Sequence, residues 1–252
     1  MQIRVINLDR SKDRLNEFMA LNSHLTSVSR FAAIDGQSSD FSELVRRGLA
    51  GEGLLAADYY SVGAVGAALS HIALWDSAIA SNVPITVAED DAIFHSRFES
   101  HAAEVLDSLP PDWAFILWGW NFDLFLSFEM LPGVSMSLSL FEQERLRRNA
   151  AHYQTEPISP RAFALHWAFG LPCYTVTPAG ARILKAHCLP LRPTIAHFPP
   201  AARILPAGCF RNVGIDSAMN NAYSKLGAHV CFPPLVVTQN EHSRSTIQAQ
   251  NM

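Results

Sequence analysis

Apolar and polar positions in this chain fall into short blocks whose period switches between two and about 3.6, the spacings of strand and helix. Ile3-Arg4-Val5-Ile6 predicts a first strand, with Asn7-Leu8-Asp9-Arg10 as its exit. Ser11 is placed to cap a helix through Leu15, Phe18 and Met19. Phe31-Ala32-Ala33-Ile34 predicts a second strand closing on the turn pair Asp35-Gly36, and residues 37 to 60 read as loop and weak helix. From Gly63 to Ala80, Val65, Leu69, Ile72 and Ile79 recur at helical spacing, and Asn82 with Pro84 stops that helix. The run Val83-Pro84-Ile85-Thr86-Val87-Ala88 then predicts a buried strand and completes a β-α-β rhythm.

Further strands are predicted from Trp113 to Trp118, ending at Gly119, from Gly170 to Val176, and from His229 to Phe232, with Leu235 to Thr238 completing the sheet. Thr177-Pro178 supplies the cap and first residue of a helix through Ile183 and Leu184. Asp216 opens a last helix that Gly227 should stop. Between about residues 121 and 168 the alternation fades. There Phe122, Leu124, Phe125, Leu126, Phe128, Met130 and Leu131 crowd together ahead of the mixed charges from Glu142 to Arg148. Side chains of that size need cover. The chain's own core would provide it, as would a subunit interface or an acceptor. The expectation is that this variable segment lines the acceptor side of a cleft and contributes to self-association. No repeat or linker interrupts residues 1–252, which predicts a single α/β domain with a mixed sheet flanked by helices.

A length of 252 residues with 49% apolar content is enough for a well-filled core. The net charge of -4 and a pI near 6.2, with no block of lysine or arginine, argue against a nucleic-acid partner. Cys173, Cys188, Cys209 and Cys231 show no C-x-x-C pairing, which suits a reducing compartment. The N-terminus lacks the apolar core of a signal peptide, and no stretch reads as roughly 18 uncharged apolar residues. The expectation is a cytoplasmic protein with no transmembrane segment, with a peripheral place at the inner membrane surface as the variant of that reading.

Three consecutive carboxylates, Glu89-Asp90-Asp91, follow the strand that begins at Val83. Two carboxylates about 4 Å apart repel by roughly 4 kcal/mol at an effective dielectric near 20, so a cluster at a strand end calls for a neutralising partner. Oxygen ligands of this kind suit Mg2+ or Mn2+, which bind one or two carboxylates plus the phosphates of a substrate. Ligands of open α/β sheets also gather beyond the carboxyl ends of the strands. A solvated acidic turn is the alternative.

Several pieces fall in one order: Ile6-Asn7-Leu8-Asp9-Arg10-Ser11-Lys12-Asp13-Arg14, Ala33-Ile34-Asp35-Gly36, Gly63-x-x-Gly66-x-x-Leu69-Ser70-His71-x-x-Leu74-Trp75 and Glu89-Asp90-Asp91. Tyr174-x-x-Thr177-x-x-Gly180-Ala181 and a tail containing Ser245-Thr246-Ile247 follow. The ordered set resembles glycosyltransferase family 25, enzymes of bacterial lipooligosaccharide and lipopolysaccharide core synthesis related to the collagen galactosyltransferases. That resemblance implies a GT-A-like, Rossmann-like fold, a nucleotide-sugar donor (typically UDP-galactose), a divalent metal and inversion at the anomeric carbon.

Sugar transfer needs charge stabilisation on the leaving diphosphate, a base for the acceptor hydroxyl and a pocket for the sugar. The resemblance implies donor binding by Asn7, Arg10, Arg14, Asp35, Ser70, His71, Glu89 and Asp90, with Asp90 also turned toward the structure. It implies metal binding by Asp91. His242 is the candidate for a third metal ligand and Asp216 the candidate base. Each has a plainer account: a solvated helix face for the arginines, a turn for Asp35, a core group for His71, a cap for Asp216 and a surface tail for His242. A saccharide or glycolipid, such as a lipopolysaccharide core sugar, is the implied acceptor. The competing functions are an inactive sugar-nucleotide or glycan-binding scaffold and a metal-dependent phosphohydrolase.

Overall fold

Strands that are apolar on both sides need a helix layer on each face of their sheet, and the chain builds that arrangement. The computed structural model describes residues 1–57, 60–122, 124–193, 195–198, 208–211 and 214–239. Its strands are β1 (Ile3–Asn7), β2 (Val28–Ala32), β3 (Ile85–Glu89), β4 (Ala92–Phe94), β5 (Phe115–Gly119), β6 (Leu126–Leu131), β7 (Ser135–Ser139), β8 (Arg161–Trp167), β9 (Cys173–Val176), β10 (Ile195–Phe198), β11 (Gly208–Arg211), β12 (His229–Phe232) and β13 (Val236–Thr238). The helices are α1 (Lys12–Leu21), α2 (Phe41–Arg46), α3 (Val62–Ser81), α4 (Phe98–Asp107), α5 (Gln143–Tyr153), α6 (Pro178–Cys188), α7 (Ile215–Asn220) and α8 (Tyr223–Leu226).

Among the described residues, nine strands form one mixed sheet in the order β2-β1-β3-β9-β5-β12-β8-β6-β7. β2, β1 and β3 run parallel, and β9 enters antiparallel between β3 and β5. Alternate residues feed two cores. Val87, Phe115, Leu117, Tyr174 and Val230 pack on the α3 and α6 side, whereas Ala88, Ile116, Trp118, Cys173 and Cys231 pack with Phe18 of α1 and Phe98 of α4. This is the mixed, Rossmann-like α/β fold expected.

Some element ends obey local chemistry, although Ser11 at the cap position of α1 makes no capping hydrogen bond. Thr177 Oγ1 accepts from the Gly180 N–H at 3.1 Å to cap α6, Asn82 ends α3 in the left-handed region, and Gly227 ends α8 the same way. Other boundaries move. The third strand starts at Ile85, leaving Val83 57% exposed, because Pro84 cannot donate to a sheet ladder. The second strand runs 28–32, earlier than its apolar residues suggest. α3 is long and apolar enough by composition to cross a bilayer, against the expectation of no such stretch, but most of it is buried against the sheet and α6.

Residues 121–168 depart furthest from the sequence reading. They form the β6–β7 hairpin, α5 and β8, which extend the sheet to its far edge. Phe122, Phe125, Leu126 and Phe128 lie in or against the molecule's own core. Cover for them is therefore internal, which corrects the reading that the cluster as a whole faces a partner. Met130, Leu131, Val134, Met136 and Leu140 are the exposed ones.

Candidate functional site

β2 and β3 flank β1 on opposite sides, so the chain reverses its direction across the sheet at β1. The carboxyl ends of β1 and β3 therefore face a crevice between connections that leave in opposite directions, the place where open α/β sheets take ligands. A cleft of about 630 Å³ opens there, lined by Asn7, Arg10, Arg14, Asp35, Ser70, His71, Glu89 and Asp90 among others. The eight side chains expected on the donor side thus share one wall system. They arrive from β1, α1, the β2 exit, α3 and the end of β3.

Close backbone approach makes this possible. A methyl group on Gly36 would lie 1.9 Å from the Val62 carbonyl oxygen, and one on Gly66 would lie 2.5 Å from the Gly36 nitrogen. Only glycine at both positions lets the Asp35 turn lie against the start of α3. Ser70 Oγ fastens that contact, accepting from the Ile34 N–H and donating to the Gly66 carbonyl, each at 2.8 Å. Its hydroxyl therefore works on the backbone. Asp35 accepts from the Gln37 N–H at 3.0 Å and pairs with Arg10 on the cleft rim.

Asn7 is buried with its amide fully engaged. Nδ2 donates to the Ser11 carbonyl (2.9 Å) and to Asp90 Oδ2 (2.7 Å), while Oδ1 accepts from Arg30 Nε (3.0 Å). The other Asp90 oxygen accepts from Arg14 Nε at 2.8 Å. Burial works against the charge of Arg14, but the hydrogen bond and charge of Asp90, helped by Asp91 and Glu89, hold its pKa above the ordinary value. Asp90 is thereby neutralised inside the protein. Glu89 faces the cleft, its Oε1 3.6 Å from Nε2 of the buried His71.

Asp91 is different. The side chain keeps 38% of its surface, yet its Oδ1 is closed off from solvent without a hydrogen-bond partner. Burial, with the charges of Glu89 and Asp90, pushes its carboxyl up to about 7 against the opposing pull of Arg14 and a Thr238 hydrogen bond. A buried bare carboxylate oxygen calls for a proton or a cation. A hard divalent ion fits this donor set, although Asp91 is not itself among the residues lining the cleft, which reaches its neighbours Glu89 and Asp90. Among the described residues no three His, Cys, Asp or Glu side chains cluster as a complete metal site, so the ion would be completed by substrate oxygens.

His242 lies outside the described residues. Asp216 is corrected in position. Gly214 holds the cap position of α7, Asp216 is its second residue with its carboxylate accepting from the Gly170 N–H at 2.8 Å, and the single helix expected up to Gly227 is divided into α7 and α8. Asp216 is not among the residues lining this cleft. Sequence reasoning missed Arg30, which also donates to the Asn7 carbonyl at 3.0 Å and pairs with Asp9. No local signal marked it, because the strand expected from the sequence begins only at Phe31.

The family model for glycosyltransferase family 25 (LPS biosynthesis protein) matches residues 1–197. That span contains the whole lining of the cleft and stops before Asp216. No curated protein matches the chain.

Proposed function

Because this chain belongs to glycosyltransferase family 25, a lipopolysaccharide-biosynthesis family, we propose that its cleft takes a UDP-sugar and passes the hexose to a saccharide or glycolipid acceptor. Galactose is the hexose of first choice, and transfer inverts the anomeric carbon. The observation that carries the reading is the bare, buried Oδ1 of Asp91, which follows directly on the cleft-lining pair Glu89 and Asp90. A carboxylate cluster alone would repel a diphosphate. Arg14 offsets Asp90 and Arg10 offsets Asp35, which leaves Glu89 and Asp91 for a cation to neutralise.

Mg2+ or Mn2+ held by Asp91 would supply the charge stabilisation that a leaving diphosphate needs. The rest falls to the chain. Glu89 and His71 orient the ribose or hexose hydroxyls, and the Asp35 turn, fixed by Ser70, forms the side of the cleft that meets the nucleoside. Asp216, anchored through Gly170, is the base for the acceptor hydroxyl, since an oriented carboxylate suits proton removal. Incubation with a panel of nucleotide sugars, with and without manganese, should release free UDP from UDP-galactose only when the ion is present. Asp91→Asn should abolish manganese-dependent UDP binding in calorimetry while leaving the fold intact. Unchanged affinity would remove Asp91 from the site.

A further inference from the structure

His71 lines the cleft, and behind it two motifs far apart in the chain meet in the core. His71 and Trp75 stand one turn apart on α3 and so share a face. Tyr174 lies within β9, opposite Val87 of β3 and Leu117 of β5. Side chains two apart on a strand share a face, so Glu89 projects on the same side of the sheet as Val87. α3 covers that side, and His71, Trp75 and Tyr174 are all buried beneath it. Trp75 Nε1 lies 2.9 Å from Tyr174 Oη, Tyr174 Oη lies 2.9 Å from His71 Nδ1, and His71 Nε2 faces Glu89.

The direction of these bonds follows from what each group can do. An indole N–H can only donate, so Tyr174 Oη accepts from Trp75 and still has one proton to place. His71 Nδ1 is the other polar atom that the described residues bring to this hydroxyl. A buried donor left without an acceptor costs about 1–3 kcal/mol, so the proton goes to Nδ1. Burial also holds the phenol well above its ordinary pKa, which keeps that proton in place. With Nδ1 an acceptor, the neutral imidazole carries its hydrogen on Nε2, toward the cleft.

We propose that Trp75 and Tyr174 are positioning residues that lock His71 as the Nε2–H tautomer, so that the cleft wall offers a donor beside the Glu89 acceptor and recognises a sugar hydroxyl of the bound nucleotide sugar. The 3.6 Å between Nε2 and Oε1 is longer than a hydrogen bond, which leaves both atoms available to a ligand. A hydroxyl both accepts and donates and so satisfies the pair. A phosphate oxygen only accepts and would be repelled by Glu89. The hydroxyl part of the inference rests on the UDP-sugar reading of the cleft, whereas the tautomer lock does not.

Nitrogen-15 imidazole spectra of the wild type at about pH 8 should show His71 protonated on Nε2 and not on Nδ1. Tyr174→Phe keeps the stacking on Phe115 but removes the hydroxyl. It should shift the ring to a tautomer mixture and weaken UDP-galactose binding about tenfold, the loss of roughly one hydrogen bond of 1.4 kcal/mol. A comparable loss for UDP alone assigns the hydroxyl to the ribose, and a loss confined to UDP-galactose assigns it to the hexose. A wild-type ring protonated on Nδ1 overturns the lock, and that measurement needs no variant to fold. A folded Tyr174→Phe protein with the wild-type spectrum overturns it as well. An Nε2–H ring in a protein that binds no uridine nucleotide supports the lock and instead sinks the UDP-sugar reading.

Discussion

Asp91 makes the metal-free protein sensitive to pH in a definite direction. An unfolded aspartate titrates near 3.9, and the folded one near 7. Between those values the folded state holds a proton that the unfolded state has released, so stability falls as pH rises through that window. Below about 4 the penalty is absent, and above about 7 it is complete. The melting temperature of the metal-free wild type should therefore fall between about pH 5 and pH 8 by more than that of Asp91→Asn, which carries no such charge. Manganese, competing with the proton, should raise the melting temperature more at the higher pH. Scanning fluorimetry of both proteins across the range checks this, and identical pH profiles would contradict it. At this scale the sequence was informative where chemistry is local. Glu89, Asp91 and His71 sit at a strand end or on one helix turn, and the short motifs that carry the family resemblance brought them forward as candidates. Arg30 and Tyr174 act through neighbours brought close by strand pairing, which no spacing along the chain reveals.

Elements whose ends are set by a cap or a breaker were legible, as Thr177 and Gly227 show. The β6–β7 hairpin was not, because its residues violate the usual alternation. Leu126, Ser127 and Phe128 are all buried in succession, while Met130 and Leu131 at the tip are apolar and exposed. Tertiary burial decides which of these matter. Phe128, stacked on Phe232 and facing Phe163, should lose about 3–5 kcal/mol when replaced by alanine. Val134→Ala at the exposed turn should change stability by no more than about 0.5 kcal/mol. Urea unfolding of the two variants separates them. Equal losses would place the hairpin tip in contact with something that the fold of one chain does not provide.

Across the whole molecule, the cleft lining comes from residues between Ile6 and Asp90, yet the sheet beside it is closed by a strand from much later in the chain. β3 ends at Glu89, and β9, which pairs with it and carries Tyr174, begins at Cys173. Synthesis at about 5–20 residues per second would leave the β3 edge without its neighbour for on the order of 4–17 s. During that interval His71 has no hydroxyl to fix its ring, and the apolar strand lies open to whatever passes. Ribosome-stalled chains that expose only residues before Cys173 should thus be cut readily by protease in their first ninety or so residues, and chains that expose α6 should resist. The cleft is therefore written first but finished late, and a cell making this protein must shelter a half-built sheet for seconds before the wall of that cleft is complete.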